Sequence, residues 1–313
     1  MDRAEMDDNR QADPERAVEL LWGDQRETRL SLSRIVAAAV ELADADGLAA
    51  LSMRRIAERL GYTTMSLYRH VVGKAELVHL MRDAVFAELA PDADAGAVVA
   101  PARGLSADPA DDPTADPAGG RTVAPAGWRT DLAAWARRQR ALHQRHRWLV
   151  DSAGSRHVPG PNIMANYEQA LAIAERTGLP PAVVLAVVDL VGGFVDSVAR
   201  RERELAEAEE PTGESHDEWW AARTSLYERL GEYPALTRLW EAGGHDHPLD
   251  PFDFGLHRTL DGIEALIRDE IRVESRTAPC TTCGKPIQDT GRGRPRAYCS
   301  RACQQRAYRQ RHP

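Results

Sequence analysis

The sequence predicts an all-α protein with three folded parts: a three-helix helix-turn-helix head, a larger helical bundle and a small treble-clef-like zinc module at the C-terminus. Three observations carry this prediction. Apolar residues recur at the i, i+3, i+4 and i+7 spacing of amphipathic helices in most segments between positions 31 and 272. No segment shows the sustained alternation of a half-buried strand. All four cysteines lie within the last 34 residues.

Residues 1–27 are mostly polar and predict a flexible arm with one short helical stretch, "AVELLWG". The charged N-terminus has no apolar core of a secretory signal, and no uninterrupted apolar run reaches the roughly 18 residues of a membrane span. We therefore expect a cytoplasmic protein without membrane contact. Cysteines stay reduced there, so a cysteine cluster favours metal binding over disulfides.

Residues 28–90 predict four helices. The first begins near Ser31 or Ser33, both suitable N-caps, and ends at Gly47. The second is "SMRRIAERLG", the third is "TTMSLYRHV", and the fourth is "KAELVHLMRDAVFAELA", which stops at Pro91. The spacing of glycine, proline and hydroxyl residues thus divides this region into short helices with defined ends.

The second and third of these helices meet at a tight turn around Gly61, which is the arrangement of a helix-turn-helix. Leu67 and Val71 are four residues apart and are expected to face back onto the helix that carries Ile56. A surface hairpin within an α-bundle is the alternative that spacing alone leaves open. In a helix-turn-helix, the hydroxyl, methyl and basic side chains would meet base edges or phosphates: Arg54, Thr63, Thr64, Met65, Ser66, Tyr68, Arg69, His70 and Lys74.

Residues 91–127 consist mainly of Ala, Asp, Pro and Gly and contain almost no large apolar side chain. Such a stretch buries too little surface to offset chain entropy, so it predicts a disordered linker, with a lid as the alternative. Residues 128–275 then predict a second helical domain. Pro161 and Pro181 stand where helix starts tolerate proline.

The charges are distributed unevenly. The chain holds 40 basic and 48 acidic residues, but residues 276–313 hold nine basic residues and one acid. Residues 51–74 hold five basic residues and one acid. These two regions, in an otherwise acidic protein, are where we expect contact with nucleic acid.

The cysteines follow the pattern C-x2-C-x15-C-x3-C at Cys280, Cys283, Cys299 and Cys303. Gly284 allows the sharp turn of a zinc knuckle, and cysteines four apart share one face of a helix. Four thiolates predict a closed, structural zinc site with no open catalytic position. A module this small has little core, so the metal would supply most of its folding energy. The alternative is a loose tail with redox-active thiols.

The basic tail predicts an accessory DNA contact beside the helix-turn-helix, or docking on the acidic body or on another protein. Its arginines form an "RGRPR" stretch and a basic helix: Arg292, Arg294, Arg296, Arg301, Arg306, Arg309 and Arg311.

The stretch "LSMRRIAERLGYTTMSLYRHVVGKAELVHLM" resembles the DNA-binding domain of the TetR family of bacterial repressors. The family pattern is met by the Ile56-Ala57 pair, Gly61, the Leu67-Tyr68 pair and Lys74. A weaker resemblance covers residues 128–272, where "HRWLVDSAGS" and "GLPPAVVLAVVDLVGGFVDSVARRE" are similar to the C-terminal domain of tetracycline-repressor-like members. The long 91–127 insert departs from compact members.

The resemblance implies a homodimer whose interface is built by the helices near 181–205 and 253–272. The apolar face expected there comprises Val184, Val187, Val188, Val191, Val195 and Val198, which would otherwise pack on their own domain. The resemblance also implies a pocket for an unknown small-molecule inducer, and the pocket candidates, otherwise ordinary core residues, are Trp135, His143, Trp148, Met164, Tyr167 and Phe194.

The sequence therefore predicts a ligand-responsive repressor that binds a near-palindromic operator in double-stranded DNA as a homodimer and is released by an inducer. The alternative is a DNA-binding regulator controlled through zinc or thiol redox at the tail. No nucleophile–base pair, phosphate loop or open metal site is apparent, so we do not expect an enzyme.

Overall fold

A computed structural model describes residues 13–23, 30–90, 127–152, 157–227, 229–288 and 297–311. Within them the chain is almost entirely helical, which confirms the predicted all-α class.

The helices of the N-terminal part are α1 (Pro14–Trp22), α2 (Leu32–Asp46), α3 (Met53–Leu60), α4 (Thr64–Leu67) and α5 (Lys74–Phe86). Those of the larger part are α6 (Trp128–Arg145), α7 (Pro161–Glu175), α8 (Pro181–Glu209), α9 (His216–Ala221), α10 (Thr224–Tyr227), α11 (Pro234–Glu241) and α12 (Pro251–Arg276). Strands β1 (Thr277–Pro279) and β2 (Pro286–Gln288) and helix α13 (Arg301–Arg311) form the tail, and short 3₁₀ turns include Leu48–Ala50, Ala87–Leu89, Arg147–Ser152 and Leu230–Glu232.

Local signals set the helix ends in the head, as the sequence predicts. Ser31 caps α2 and Ser52 caps α3, each accepting a hydrogen bond from the backbone N–H three residues on, at 3.3 Å. Gly47 and Gly61 end the two helices with positive φ angles of 80° and 74°. Residues 91–126, which we predict to be a linker, lie outside the described part of the chain.

The head core is continuous with the end of the first body helix. Its buried side chains come from α2 to α5 and the adjoining turns, but Leu142, Trp148 and Leu149 belong to the same cluster. Helix α1 packs against this core through Leu20 and Leu21. The head is thus anchored to the body by shared apolar burial.

A second core lies between α6, α7, α8 and α12. The valines predicted to form a dimer face are part of it: Val184, Val187, Val188, Val191 and Val195 are buried, and Val198 packs against them. This corrects the sequence expectation. The valines share one side of α8 because of the helical repeat, and that side faces the chain's own body.

The opposite sides of α8 and α12 remain exposed. Their large apolar side chains in contact with solvent are Leu185, Leu190, Phe254 and Leu266. Among the described residues, α8 is long and apolar enough to cross a membrane by length and composition alone, although Asp189 and Asp196 interrupt its apolar run. A core helix passes the same test, and the inner side of α8 is core.

The tail begins where α12 ends. Strands β1 and β2 pair antiparallel around the loop that carries Cys280 and Cys283. Helix α13 follows and is capped by Ser300, whose hydroxyl accepts the Cys303 N–H at 3.3 Å. Arg292, Arg294 and Arg296 of the "RGRPR" stretch lie outside the described residues.

Candidate functional site

The helix-turn-helix predicted from the sequence is present in the head. The turn between α3 and α4 closes on Gly61, and the N–H of Tyr62 donates to the carbonyl of Ala57 at 2.9 Å. Leu67 and Val71 are fully buried against α3. Helix α4 is therefore held by its inner side and presents its outer side to solvent.

The outer side carries most of the predicted DNA-contacting residues. Met65 is 70% exposed, and Thr63 and Arg69 are exposed as well. Thr63 and Ser66 share a hydroxyl–hydroxyl hydrogen bond of 3.0 Å, which orients both groups at the start of α4. Thr64, Ser66, Tyr68 and His70 are half-buried, and Tyr68 packs against the head core.

Two predicted basic contacts are engaged within the head. Arg54 donates to Glu58 at 2.8 Å, and both side chains are exposed. Lys74 donates to the carbonyl of Leu48 at 2.8 Å, which ties the start of α5 to the turn after α2. One of its three ammonium donors is used in this way, and a phosphate contact by Lys74 stays a prediction.

Glu76 was not found from the sequence, although it organises the region behind α4. Its carboxylate is buried, accepts the Val72 N–H at 2.6 Å and pairs with Arg16 of α1 at 2.9 Å. No local pattern indicates this role, because Arg16 lies 60 residues away in the chain.

The junction between head and body is made of polar contacts around α5. Asp83 accepts hydrogen bonds from the backbone N–H groups of Asn162 and Ile163, each at 3.0 Å, at the first turn of α7. A second contact joins His146 to Asp44 and Glu88 at 2.8 and 2.9 Å. These contacts link α5, the 3₁₀ turn after it and α2 to the start of α7 and the residue that follows α6.

The residues predicted to line the inducer pocket do not all lie around one cavity. Trp135 is buried in the body, where its indole N–H donates to Asn166 at 3.1 Å. Tyr167 and Phe194 pack on the same body core, and Phe194 stacks on Phe252 at 5.7 Å. Two candidates lie elsewhere. Trp148 is in the head core and donates to Asp44 at 2.7 Å, because its 3₁₀ turn folds under the head, and Met164 faces solvent.

A mostly buried histidine pairs with an exposed carboxylate in the body. His143 approaches Asp196 through Nε2 at 3.2 Å, while its buried Nδ1 has no hydrogen-bond partner among the described residues. Burial lowers the pKa of His143, against the influence of Asp196, so the ring is neutral at pH 7. The buried Nε of Arg82, on α5, likewise lacks a partner in the described chain. No pattern in the sequence indicated a role for Arg82.

A cavity of about 290 Å³ lies between α6 and α8, and His143 is one of its lining residues.

The four cysteines come together in the tail. Their sulfur atoms all lie within 4.8 Å of one another, with 3.4 Å between Cys283 and Cys299 and 3.6 Å between Cys299 and Cys303. Four ligands at about 2.3 Å from a tetrahedral zinc ion are about 3.8 Å apart, so the cluster fits the metal with small adjustments. The backbone N–H of Cys299 lowers the pKa of the Cys280 thiol to about 6, whereas a hydrogen bond with Cys283 raises the pKa of Cys299 to about 12.

Comparison with known proteins gives matches over both folded parts. Residues 35–81 match the bacterial regulatory proteins of the tetR family, and residues 123–267 match the tetracyclin repressor-like C-terminal domain. The HTH-type transcriptional repressor DrrR1 of Streptomyces coeruleorubidus is 37% identical over 262 residues, covering 80% of this chain and 86% of the relative.

Solved structures match as well. Apo ActR from Streptomyces coelicolor is 25% identical with a TM-score of 0.56, covering 78% of this chain and 100% of that one. The same protein in complex with actinorhodin is 27% identical with a TM-score of 0.54, covering 76% and 98%.

Proposed function

Because the chain belongs to the tetR family of bacterial regulatory proteins, we propose that it is a ligand-responsive transcriptional repressor that binds its operator as a homodimer. The family consists of DNA-binding transcriptional regulators and not of enzymes. The single observation that supports the proposal most is the solvent-facing side of α4, held on a buried inner side. We place the protein in the cytoplasm, where its DNA is.

In this proposal α4 enters the major groove of a near-palindromic operator. Ser66 and Tyr68 have hydroxyls for base edges or phosphates, and the Met65 side chain suits a thymine methyl group. Arg69 supplies a phosphate contact. Two heads in a symmetric dimer then read half-sites about one helical turn, or roughly 34 Å, apart.

The dimer interface is proposed to form on the exposed sides of α8 and α12. Leu185, Leu190, Phe254 and Leu266 are between 47% and 55% exposed on these two helices. Gly193 and Gly262 have open space where a side chain would stand, which permits close helix approach. Exposed apolar side chains concentrated on adjacent helices mark an interaction surface, and a second copy would cover it. Leu190→Glu with Leu266→Glu should give monomers in sedimentation, whereas Leu239→Glu, an exposed change on α11, should not.

The inducer site is proposed to lie in the body near His143, Trp135 and Arg82. The likeness to ActR, solved with actinorhodin, supports a small-molecule site in this domain. Neutral His143 offers an unpaired acceptor and Arg82 an unpaired donor. A ligand hydroxyl accepts a hydrogen bond from Arg82 and donates one to His143. We therefore propose an inducer that carries a hydroxyl on an apolar frame.

Release is proposed to pass through α5, which carries Arg82 and Asp83 on adjacent positions. A ligand that draws Arg82 into the body would move α5, whose first residue, Lys74, contacts Leu48 in the head. Changing the spacing of the two heads weakens binding to both half-sites at once.

The tail is proposed to bind one structural zinc ion through Cys280, Cys283, Cys299 and Cys303. The alternative function, control of DNA binding through zinc or thiol redox, is favoured by the exposure of Cys283 and Cys299. Operator affinity should be measured with chelator, with oxidant and with hydroxylated aromatic compounds. A response to small molecules alone supports the repressor proposal. A response to chelator or oxidant alone would replace it with the alternative.

A further inference from the structure

The tail module lies at the pole of the body opposite the head. Helices α6 and α12 run antiparallel, since Arg137 pairs with Asp253 at 2.8 Å while Arg129 pairs with Glu264 at 3.3 Å. The head joins the other end of α6, where Arg145 pairs with Glu88 at 2.7 Å. Moving along α12 from its start therefore leads away from the head.

The separation follows from helix geometry. From His146 back to Arg129, α6 covers roughly 25 Å at 1.5 Å per residue, and α12 continues about 18 Å from Glu264 to Arg276. Strand β1 and the cysteine cluster begin directly after that residue. The module thus stands roughly 40 Å from the head–body junction along the axis. A DNA contact beside the helix-turn-helix, as the sequence suggests, does not fit this placement.

The arginines of α13 differ in their pairing from many of those in the body. Seven body arginines form ion pairs with carboxylates: Arg129, Arg137, Arg140, Arg145, Arg176, Arg203 and Arg258. In α13, Arg301, Arg306 and Arg309 are exposed, and none forms an ion pair within the described ranges. Helix α13 contains no acidic residue at all.

The buried side of α13 is occupied by the cluster. Cys303 and Ala307 face inward, four residues apart. On the opposite side, Arg301, Gln305, Tyr308 and Arg309 fall within about 100° of arc at 3.6 residues per turn. This side therefore combines cations, an amide and an aromatic ring that is 65% exposed.

We propose that the outer side of α13 binds a second DNA duplex, separate from the operator, so that one dimer can bridge two DNA segments. Unpaired guanidinium groups with amide and aromatic side chains are suited to phosphates and sugars. A stable protein–protein interface needs buried apolar anchors, and Tyr308 is the only large one this side offers. The proposal that the dimer bridges two duplexes rests on the proposed function of the head. The proposal that the tail binds DNA is independent of that function.

The first experiment measures the contribution of the tail to binding of arbitrary DNA. The full-length zinc-loaded protein is titrated with a 30-base-pair duplex of arbitrary sequence at several salt concentrations. Arg301→Gln with Arg309→Gln removes two tail charges, and Arg229→Gln with Arg238→Gln removes two exposed, unpaired body charges as the matched control. The salt slope should fall by about 2 in the tail variant and stay unchanged in the control, because each lost phosphate contact removes about 0.9.

The second experiment measures bridging. A duplex from upstream of the protein's own gene is immobilised, and capture of a labelled second duplex is followed. The wild type and the body variant should capture it, while the tail variant should bind the first duplex and lose capture several-fold. Zinc content is measured in every variant to verify that the module is folded.

An equal salt slope in the tail variant and the wild type would overturn the proposal, whatever the bridging assay gives. A reduced salt slope without capture would confine the tail to ordinary binding of one duplex and overturn bridging. If the wild type does not bind the upstream duplex, the proposed function of the head fails, and the salt slope still decides whether the tail binds DNA.

Discussion

Asp83 of the head caps a helix of the body through Asn162. Its Oδ1 accepts the Asn162 backbone N–H at 3.0 Å, and its Oδ2 accepts the Asn162 side-chain amide at 2.9 Å. Gly160 permits this approach, since a Cβ there would stand 2.3 Å from the Asp83 carboxyl carbon. Helix α5 therefore cannot move relative to α7 without releasing the cap.

Asp83→Ala should uncouple the head from the body. It removes a buried cap and leaves the N–H groups of Asn162 and Ile163 without an acceptor, which should cost about 1–3 kcal/mol of unfolding free energy. The inducer should then lower operator affinity less than in the wild type. Denaturant unfolding and operator titration with and without inducer measure both effects. Glu241→Ala, an exposed change on α11 outside the proposed interface, should leave both values near those of the wild type. An unchanged inducer response in Asp83→Ala would contradict the coupling role.

The Asp83 carboxyl should also give a pH-dependent contribution to stability. Burial raises its pKa above the ordinary value, although hydrogen bonds from Ile163 and Asn162 act in the opposite direction. A raised folded-state pKa means that the associated stability is present below the unfolded value, near 4, and is lost as pH rises through the folded value.

The wild type should therefore lose stability relative to Asp83→Asn, which is neutral at every pH, as pH rises from about 4. Urea midpoints of the two proteins between pH 4 and 7 measure the difference, and groups common to both cancel. A difference that does not change over this range would show that the carboxyl pKa is not raised.

Arg69→Gln should weaken operator binding and lower its salt slope by about 2, because one phosphate contact is lost in each of the two heads of the dimer. Ser66→Ala, in contrast, should reduce discrimination between operator and arbitrary DNA with little change in the slope. Anisotropy titrations at several salt concentrations separate the two effects. Equal affinities of wild type and Arg69→Gln at every salt concentration would remove Arg69 from the interface.

Purified protein should contain one zinc ion per chain, bound by the tail. Cys283→Ser should leave much less than one equivalent, and the three remaining thiols should react with a thiol reagent without denaturation. Gln304→Ala, on the exposed side of α13, should retain the metal. Zinc should also be lost on acidification, because protons compete for the thiolates. Full metal content in Cys283→Ser would exclude a four-cysteine site.

The parts of the fold with local signals were predictable. Ser52 and Gly61 mark both ends of α3 in the sequence, and the spacing of Leu67 and Val71 shows which side of α4 is buried. The cysteine cluster was equally predictable, because the spacing of the four ligands is a local feature.

The long-range features could not be derived in this way. The cap from Asp83 to Asn162 joins residues 79 apart, and Trp148 occupies the head core through a turn that carries no helical periodicity. The valine side of α8 was assigned to the dimer because periodicity identifies an apolar side but not its partner. The position of the tail likewise depends on the antiparallel packing of α6 and α12.

The central claim is that two α4 helices of one dimer read one operator and that an inducer releases them. Footprinting of DNA from upstream of the protein's own gene, with and without hydroxylated aromatic compounds, tests it most directly. We expect protection of two related half-sites about one helical turn apart, lost on addition of an inducer and absent for Leu190→Glu with Leu266→Glu. Protection of a single unpaired site, or protection that no such compound changes while chelator or oxidant abolishes it, would contradict the account.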